Sequence, residues 1–244
     1  AAKVLRETLP QVRKPFQVYS SGGMARSVHG TAYTRLFDEE VLSVVNEFSD
    51  DFTPAPRGFN GATGLYAGEQ DMFCFLIDEN SRIEIREESF APGLFVWTSE
   101  VGKRSVGIST FWYQHVCSNH IVWDAIDVVE CTRKHTANVH RCLNDMRSAI
   151  ENLIAVRDQR RDAFAKTVDV AMDTRFAESR DEAIAVLRRH GLSADLLDET
   201  HSSREYFTVF DIVDAITRVA GRLQNAGDRL LLDARAAALL TLAA

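Results

Sequence analysis

The sequence lacks any long hydrophobic run. No stretch approaches the ~18 consecutive apolar residues a membrane span needs, so no membrane partner is expected. The opening AAKVLRETLPQVRK is charged throughout and has no apolar centre, so it does not read as a signal peptide. It does not start with Met, and the numbering is not expected to begin at the true N-terminus. Cysteine is scarce: Cys74, Cys117, Cys131 and Cys142 are the only four. Without an export signal, reduced thiols and a cytoplasmic location are expected. Positive charge is also in deficit, with 28 Lys and Arg against 35 Asp and Glu, a net charge of −7. Bulk charge therefore does not favour nucleic acid, and any such binding needs a local basic surface. No G-x-x-x-x-G-K-[ST] and no G-x-G-x-x-G occurs. Gly58-x-x-Gly61-x-x-Gly64 opens no helix, so it lacks the helix N-terminus that holds phosphate and reads as a flexible loop. Internal repeats and low-complexity tracts are absent.

Proline is missing after residue 137, where Ala, Leu, Arg and Asp replace the aromatics, β-branched residues and glycines of the first half. This shift predicts an α+β fold: an antiparallel sheet over about residues 60–123, packed by a long helix and followed by a helical C-terminal region. Residues 1–136 form the mainly β portion, with one early helix. Residues 137–244 form the helical portion packed on it, the two making one composite domain. Residues 1–37 are expected to be irregular with short strands, turning at Ser20-Ser21-Gly22-Gly23. Asp38 reads as the N-cap of a helix to Phe48. Strands are expected over 63–67, 71–78 and the alternating 82–86, with a hairpin from 94–99 and 105–112. Residues 113–123 fit either a helical stripe or a strand. A helix is expected over 137–170, where Val139, Leu143, Met146, Ile150 and Leu153 recur at helical spacing. Another starts at the Ser179/Glu182 capping box and stops at Gly191. Two more span Thr208–Gln224 and Asp228 to the end.

The block Gly93–Arg141 holds all three tryptophans and four of the seven histidines; with Cys142 directly after it, three of the four cysteines gather here. His115, Cys117, His120, Cys131, His135, His140 and Cys142 offer metal-ligand types, but not the two short pairs of a structural zinc site. A cysteine- or metal-dependent enzyme centred on Cys117, His120 and His135 is the alternative reading. The carboxylates Asp124, Asp127 and Glu130 carry no distinguishing spacing. No catalytic residue, metal ligand or cofactor is assigned. Two tight basic clusters, Lys103-Arg104 and Arg133-Lys134-His135 with Arg141, sit among aromatics. Single-strand binders combine such a basic groove with rings on which bases stack. The candidate interface is accordingly Lys103, Arg104, Arg133, Lys134, His135 and Arg141 for phosphates, with Trp112 or Tyr113 for bases.

Five strings carry a resemblance: GLYAGEQDMFCFLID (64–78), WTSEVG (97–102), YQHVCSNHIVW (113–123), RKHT (133–136) and FTVFDIVDAIT (207–217). The chain resembles the domain of unknown function 932 family of bacterial, phage- and plasmid-related proteins, from about Arg26 to the C-terminus. The family has no assigned chemistry, and its setting implies DNA metabolism. A sheet followed by a long helix is also loosely similar to phage single-strand annealing proteins, an analogy of fold only. The expected function is non-enzymatic binding of single-stranded DNA, in annealing or recombination. A third reading is an assembly protein that forms a homo-oligomer through the leucine-rich C-terminus, Leu230–Leu232 and Leu239-Leu240.

Overall fold

A computed structural model describes residues 15–54, 65–115, 120–123, 131–202, 204–223 and 226–243, with the isolated positions 3 and 7. The fold is α+β. A hairpin of β1 (Phe16–Ser21) and β2 (Met24–Gly30) comes first. Gly22 and Gly23, both at positive φ, form its turn, as expected of Ser20–Gly23. Helix α1 (Asp38–Asn46) follows. Phe37, not Asp38, holds its N-cap position; the Phe37 amide donates to the Glu40 carboxylate at 2.8 Å.

The main sheet is antiparallel and eight-stranded among the described residues. Its path runs β10 (Cys131–Arg133), β8 (Val106–Gln114), β7 (Glu88–Thr98), β5 (Met72–Ile77) and β3 (Thr53–Pro54). Three short strands pair off this path: β4 (Leu65–Ala67) on β5, β6 (Ile83–Ile85) on β7 and β9 (His120–Trp123) on β8. The β7–β8 hairpin is longer than the expected 94–99/105–112, because apolar residues suit both covered faces. Residues 120–123 are strand, which settles that part of the ambiguous 113–123 segment; 116–119 lie outside the described residues. The alternating 82–86 segment shortens to β6 because Arg86 takes a left-handed conformation, φ 56°. Its guanidinium reaches Asp169 and Asp173.

Register sorts the core. Cys74, Val96 and Ile108 align across β5, β7 and β8, as do Phe75, Phe95 and Ser109 on the opposite face. The first face packs Met72, Leu76, Leu94, Val96 and Ile108 against α1 and α2 (Arg141–Ala155). Farther along it, Phe90 and Trp112 join Phe164, Val168, Phe210 and Val213 of the C-terminal helices. The second face stacks Phe73, Phe75, Phe95 and Phe111. Gly93 is required there: a Cβ would lie 2.5 Å from the Phe111 ring and 2.7 Å from the Leu76 carbonyl.

The expected helix over 137–170 is two. It starts at Arg141 and breaks at Val156 (φ −105°, ψ 13°), giving α2 and α3 (Arg157–Ala171). At the break Arg157 pairs with Asp51 at 2.6 Å and with buried Asp78 at 3.2 Å. This redirects the chain from one hydrophobic cluster to the other. Helix α4 (Arg180–Arg189) has Ser179 as its cap, accepting from the Glu182 amide at 3.2 Å. The Glu182 carboxylate returns one residue farther back than expected, to the Glu178 amide at 2.8 Å. Gly191 ends the turn at φ 69°. Thr208 and Asp211 make a reciprocal capping box at α5 (Val209–Gly221). In α6 (Ala226–Leu240) Asp228 lies in the first turn. Among the described residues no helix is long and apolar enough to cross a membrane.

Candidate nucleic-acid interface

Residues 105–132 separate the two basic clusters in sequence, and the sheet brings them to one end. Arg133 pairs with Val106 in the β10–β8 register. Arg133-Lys134-His135 therefore leaves the sheet beside the Lys103-Arg104 end of the β7–β8 loop. The segment between β2 and α1 crosses the same end. The Thr34 amide donates to the His135 carbonyl at 3.1 Å. The Tyr33 hydroxyl donates to the Glu100 carbonyl at 2.9 Å, and the Asp38 amide to the Glu100 carboxylate at 3.0 Å.

The cations differ in how far they are spoken for. Lys103 and Arg104 both reach one Asp71 carboxylate oxygen at 3.0 Å. Arg104 also lies 5.1 Å over the Phe73 ring. Arg133 pairs with Asp145 at 3.0 Å. Lys134 and Arg141 are exposed and pair with no carboxylate among the described residues. Arg141 opens α2, whose first turn has no acidic residue and whose His140 cap position makes no side-chain capping bond. The amides of Arg141, Cys142 and Leu143 donate to the carbonyls of Asn138, Val139 and His140 at 3.1, 2.9 and 3.2 Å, so the helix start favours an anion only through its dipole. His140 faces Glu40 at 3.4 Å.

Three expected contact residues have other places. Trp112 is fully buried, its ring stacked on Phe164 at 4.0 Å and 6°. Tyr113 is 2 % exposed and meets His115 edge-on at 4.5 Å. Both faces of β8 are covered, so neither ring presents a surface on which a base can stack. His135 is 7 % exposed and stacks on Tyr33 at 5.3 Å. Burial lowers its affinity for a proton, so it serves packing rather than phosphate contact.

An exposed aromatic at this end is Phe37, 48 % exposed, with the Arg35 guanidinium 5.7 Å from its ring. Arg35 also covers Tyr19 at 3.2 Å. Phe37 was missed, although Arg35-Leu36-Phe37 carries a legible signal. Leu36 is fully buried and the flanking pair projects the other way, as extended chain requires.

Polar groups also line a cleft of about 190 Å³ between the β1–β2 hairpin and the sheet: Asp38, Glu69, Asp71, Glu100 and Arg26. Burial, then Glu100 and Asp71, push the Asp38 carboxyl up to about 6.

The thiol and metal readings fall largely on residues outside the described ones. Cys117 lies outside the described residues, as do Asp124, Asp127, Glu130 and the Gly58–Gly64 run; the side chains of His120 and Cys131 do too. Cys74 and Cys142 are buried thiols, and burial pushes Cys74 up to about 11. His115 faces Glu79 at 3.4 Å, and burial lowers its proton affinity. Among the described residues no group of three or more His, Cys, Asp or Glu is placed to hold a metal ion. No family model, no curated protein and no solved structure matches the chain.

Proposed function

We propose that the chain binds single-stranded nucleic acid at the end of its sheet where the β7–β8 loop, the β10 end and the start of α2 meet. The observation that carries this reading is the β10–β8 register, which sets Arg133-Lys134 beside Lys103-Arg104. Lys134 and Arg141, exposed and without a carboxylate partner among the described residues, make the first phosphate contacts. Lys103, Arg104 and Arg133 join by exchanging Asp71 and Asp145 for phosphate. Phe37 takes the stacking role expected of Trp112 or Tyr113, with Arg35 beside it.

The same carboxylates limit the reading in a useful way. Each phosphate contact by Lys103, Arg104 or Arg133 releases an existing ion pair, so affinity is modest and steeply salt-dependent. Recognition is indifferent to sequence, because phosphate contacts and ring stacking carry no base identity. Such binding suits single-strand annealing or recombination of mobile-element DNA, the setting the resemblance to the domain of unknown function 932 family implies. Filter binding of a single-stranded oligonucleotide at about 50 and 200 mM salt tests it. Retention at the lower concentration and loss at the higher supports the proposal; no retention even at low salt removes it.

A further inference from the structure

The β1–β2 hairpin forms its own two-stranded sheet, unpaired with the main one. An isolated two-stranded hairpin is marginal in water, so its order depends on how it is seated. One tie is the ion pair of Arg26 with Glu69 at 3.0 Å, where Glu69 is 80 % exposed and the pair correspondingly weak. Another is Arg35 over Tyr19. The third is a column of three rings. His29 of β2 stacks on Tyr33 at 3.7 Å and 9°, and Tyr33 stacks on His135 at 5.3 Å and 22°.

The β7–β8 loop closes on this column at Gly102. A Cβ there would lie 2.7 Å from the His29 ring and 2.9 Å from the Tyr33 ring. His29 shares a hydrogen bond with the Ser27 hydroxyl at 2.8 Å. His135 is buried, and neither of its ring nitrogens has a hydrogen-bond partner. The charged groups around the column are Arg35 from the 31–37 segment, Glu100 and Arg104 from the β7–β8 loop, and Lys134 beside His135 in the chain. Glu100 is the single anion among these, and the Asp38 amide already occupies one of its oxygens. A proton added to the column therefore enters among cations; the Ser27 hydroxyl and the Val101 backbone face His29, and the Thr34 and Arg104 backbones face His135, but these acceptors do not offset the burial.

We infer that the column is an acid-sensitive latch: protonation of His29 and His135 releases the β1–β2 hairpin from the end of the main sheet. Burial lowers the proton affinity of both imidazoles, with Arg35 adding to the effect at His29 and His29 adding to it at His135. The seated hairpin thus binds fewer protons than the released one. Seating is complete above the ordinary histidine range of about 6.5 and weakens as pH falls through it, by at most about tenfold per proton per pH unit. Asp38, which lines the cleft under the hairpin, acts in the opposite sense. Its carboxyl takes a proton near pH 6 in the seated state, so below that value it offsets one of the two histidine protons.

Amide hydrogen exchange, corrected for intrinsic rate at each pH, reads the latch directly. The reporters are the Thr34 amide, bonded to the His135 carbonyl, and the β1–β2 amides. Between pH 7.5 and 5.5 their protection is expected to fall about tenfold or more, while β5 and β7 amides hold theirs. His135→Phe keeps a ring in the column but cannot be protonated, and is expected to flatten the response; Asp38→Asn is expected to steepen it below pH 6. Constant hairpin protection in the wild-type chain overturns the inference without need of any variant. So does an undiminished fall in the His29→Phe/His135→Phe double variant.

Discussion

Asp71 decides how much of the basic end is available to a ligand. It is 8 % exposed and engages both Lys103 and Arg104, so two cations of one cluster share a single counter-charge. Asp71→Asn is expected to tighten binding of a single-stranded oligonucleotide up to about fivefold, because each cation is freed from an ion pair of ~1 kcal/mol. Fluorescence anisotropy at low salt would show it, and unchanged or weaker binding would contradict it. Trp112 gives the opposite test. As a buried ring stacked on Phe164, Trp112→Ala is expected to cost about 3–5 kcal/mol of stability by urea unfolding. Trp112→Phe is expected to leave oligonucleotide affinity unchanged. Asp38 gives a pH test of the cleft. Its carboxyl is raised to about 6, so the folded state binds more protons than the unfolded state between about pH 4 and 6, and stability falls across that window as pH rises. Asp38→Asn is expected to raise the urea midpoint at pH 7.5 and to leave it nearly unchanged at pH 4.

Elements were legible where pattern alone sets them, and less so where distant packing does. The run Met72-Phe73-Cys74-Phe75-Leu76-Ile77 names a central strand, and every one of its residues is buried. The turn at Gly22-Gly23, the Ser179 cap and the stop at Gly191 follow from local chemistry and stand as read. The break at Val156 had no local signal. Neither Gly nor Pro is there, and Phe164 and Val168 continue an apolar stripe beyond it. Its determinants, Asp51 and Asp78, are about 80 to 100 residues away in sequence, which periodicity does not see. Arg157→Ala removes a partner from Asp78, 2 % exposed, which keeps its bonds from the Asn80 and Ser81 amides and the Ser81 hydroxyl. A loss of about 1.5–3 kcal/mol is expected by urea unfolding. Gly93→Ala, which drives a methyl into Phe111 and the Leu76 carbonyl, is expected to cost about 1–3 kcal/mol by the same measurement.

For the whole molecule, the sheet does what composition could not announce. A chain of net charge −7 gathers Lys103, Arg104, Arg133, Lys134 and Arg141 at one end through strand register. The clusters were visible in the sequence as clusters. Their meeting required β10 to pair with β8, and their neutralisation by Asp71 and Asp145 required the tertiary fold. The stacking residue was misplaced for a related reason: an aromatic in a strand buried on both faces looks, in sequence, like an aromatic in an open one. The central claim is a phosphate-contacting surface, and the salt dependence of single-stranded DNA affinity tests it most directly. With about five phosphates engaged by Lys103, Arg104, Arg133, Lys134 and Arg141, the wild-type slope of log K against log salt is expected to be about −3.5. In the Lys134→Ala/Arg141→Ala variant it is expected to fall to about −2. Equal slopes for the two proteins, or no binding by the wild-type chain at low salt, would contradict the account.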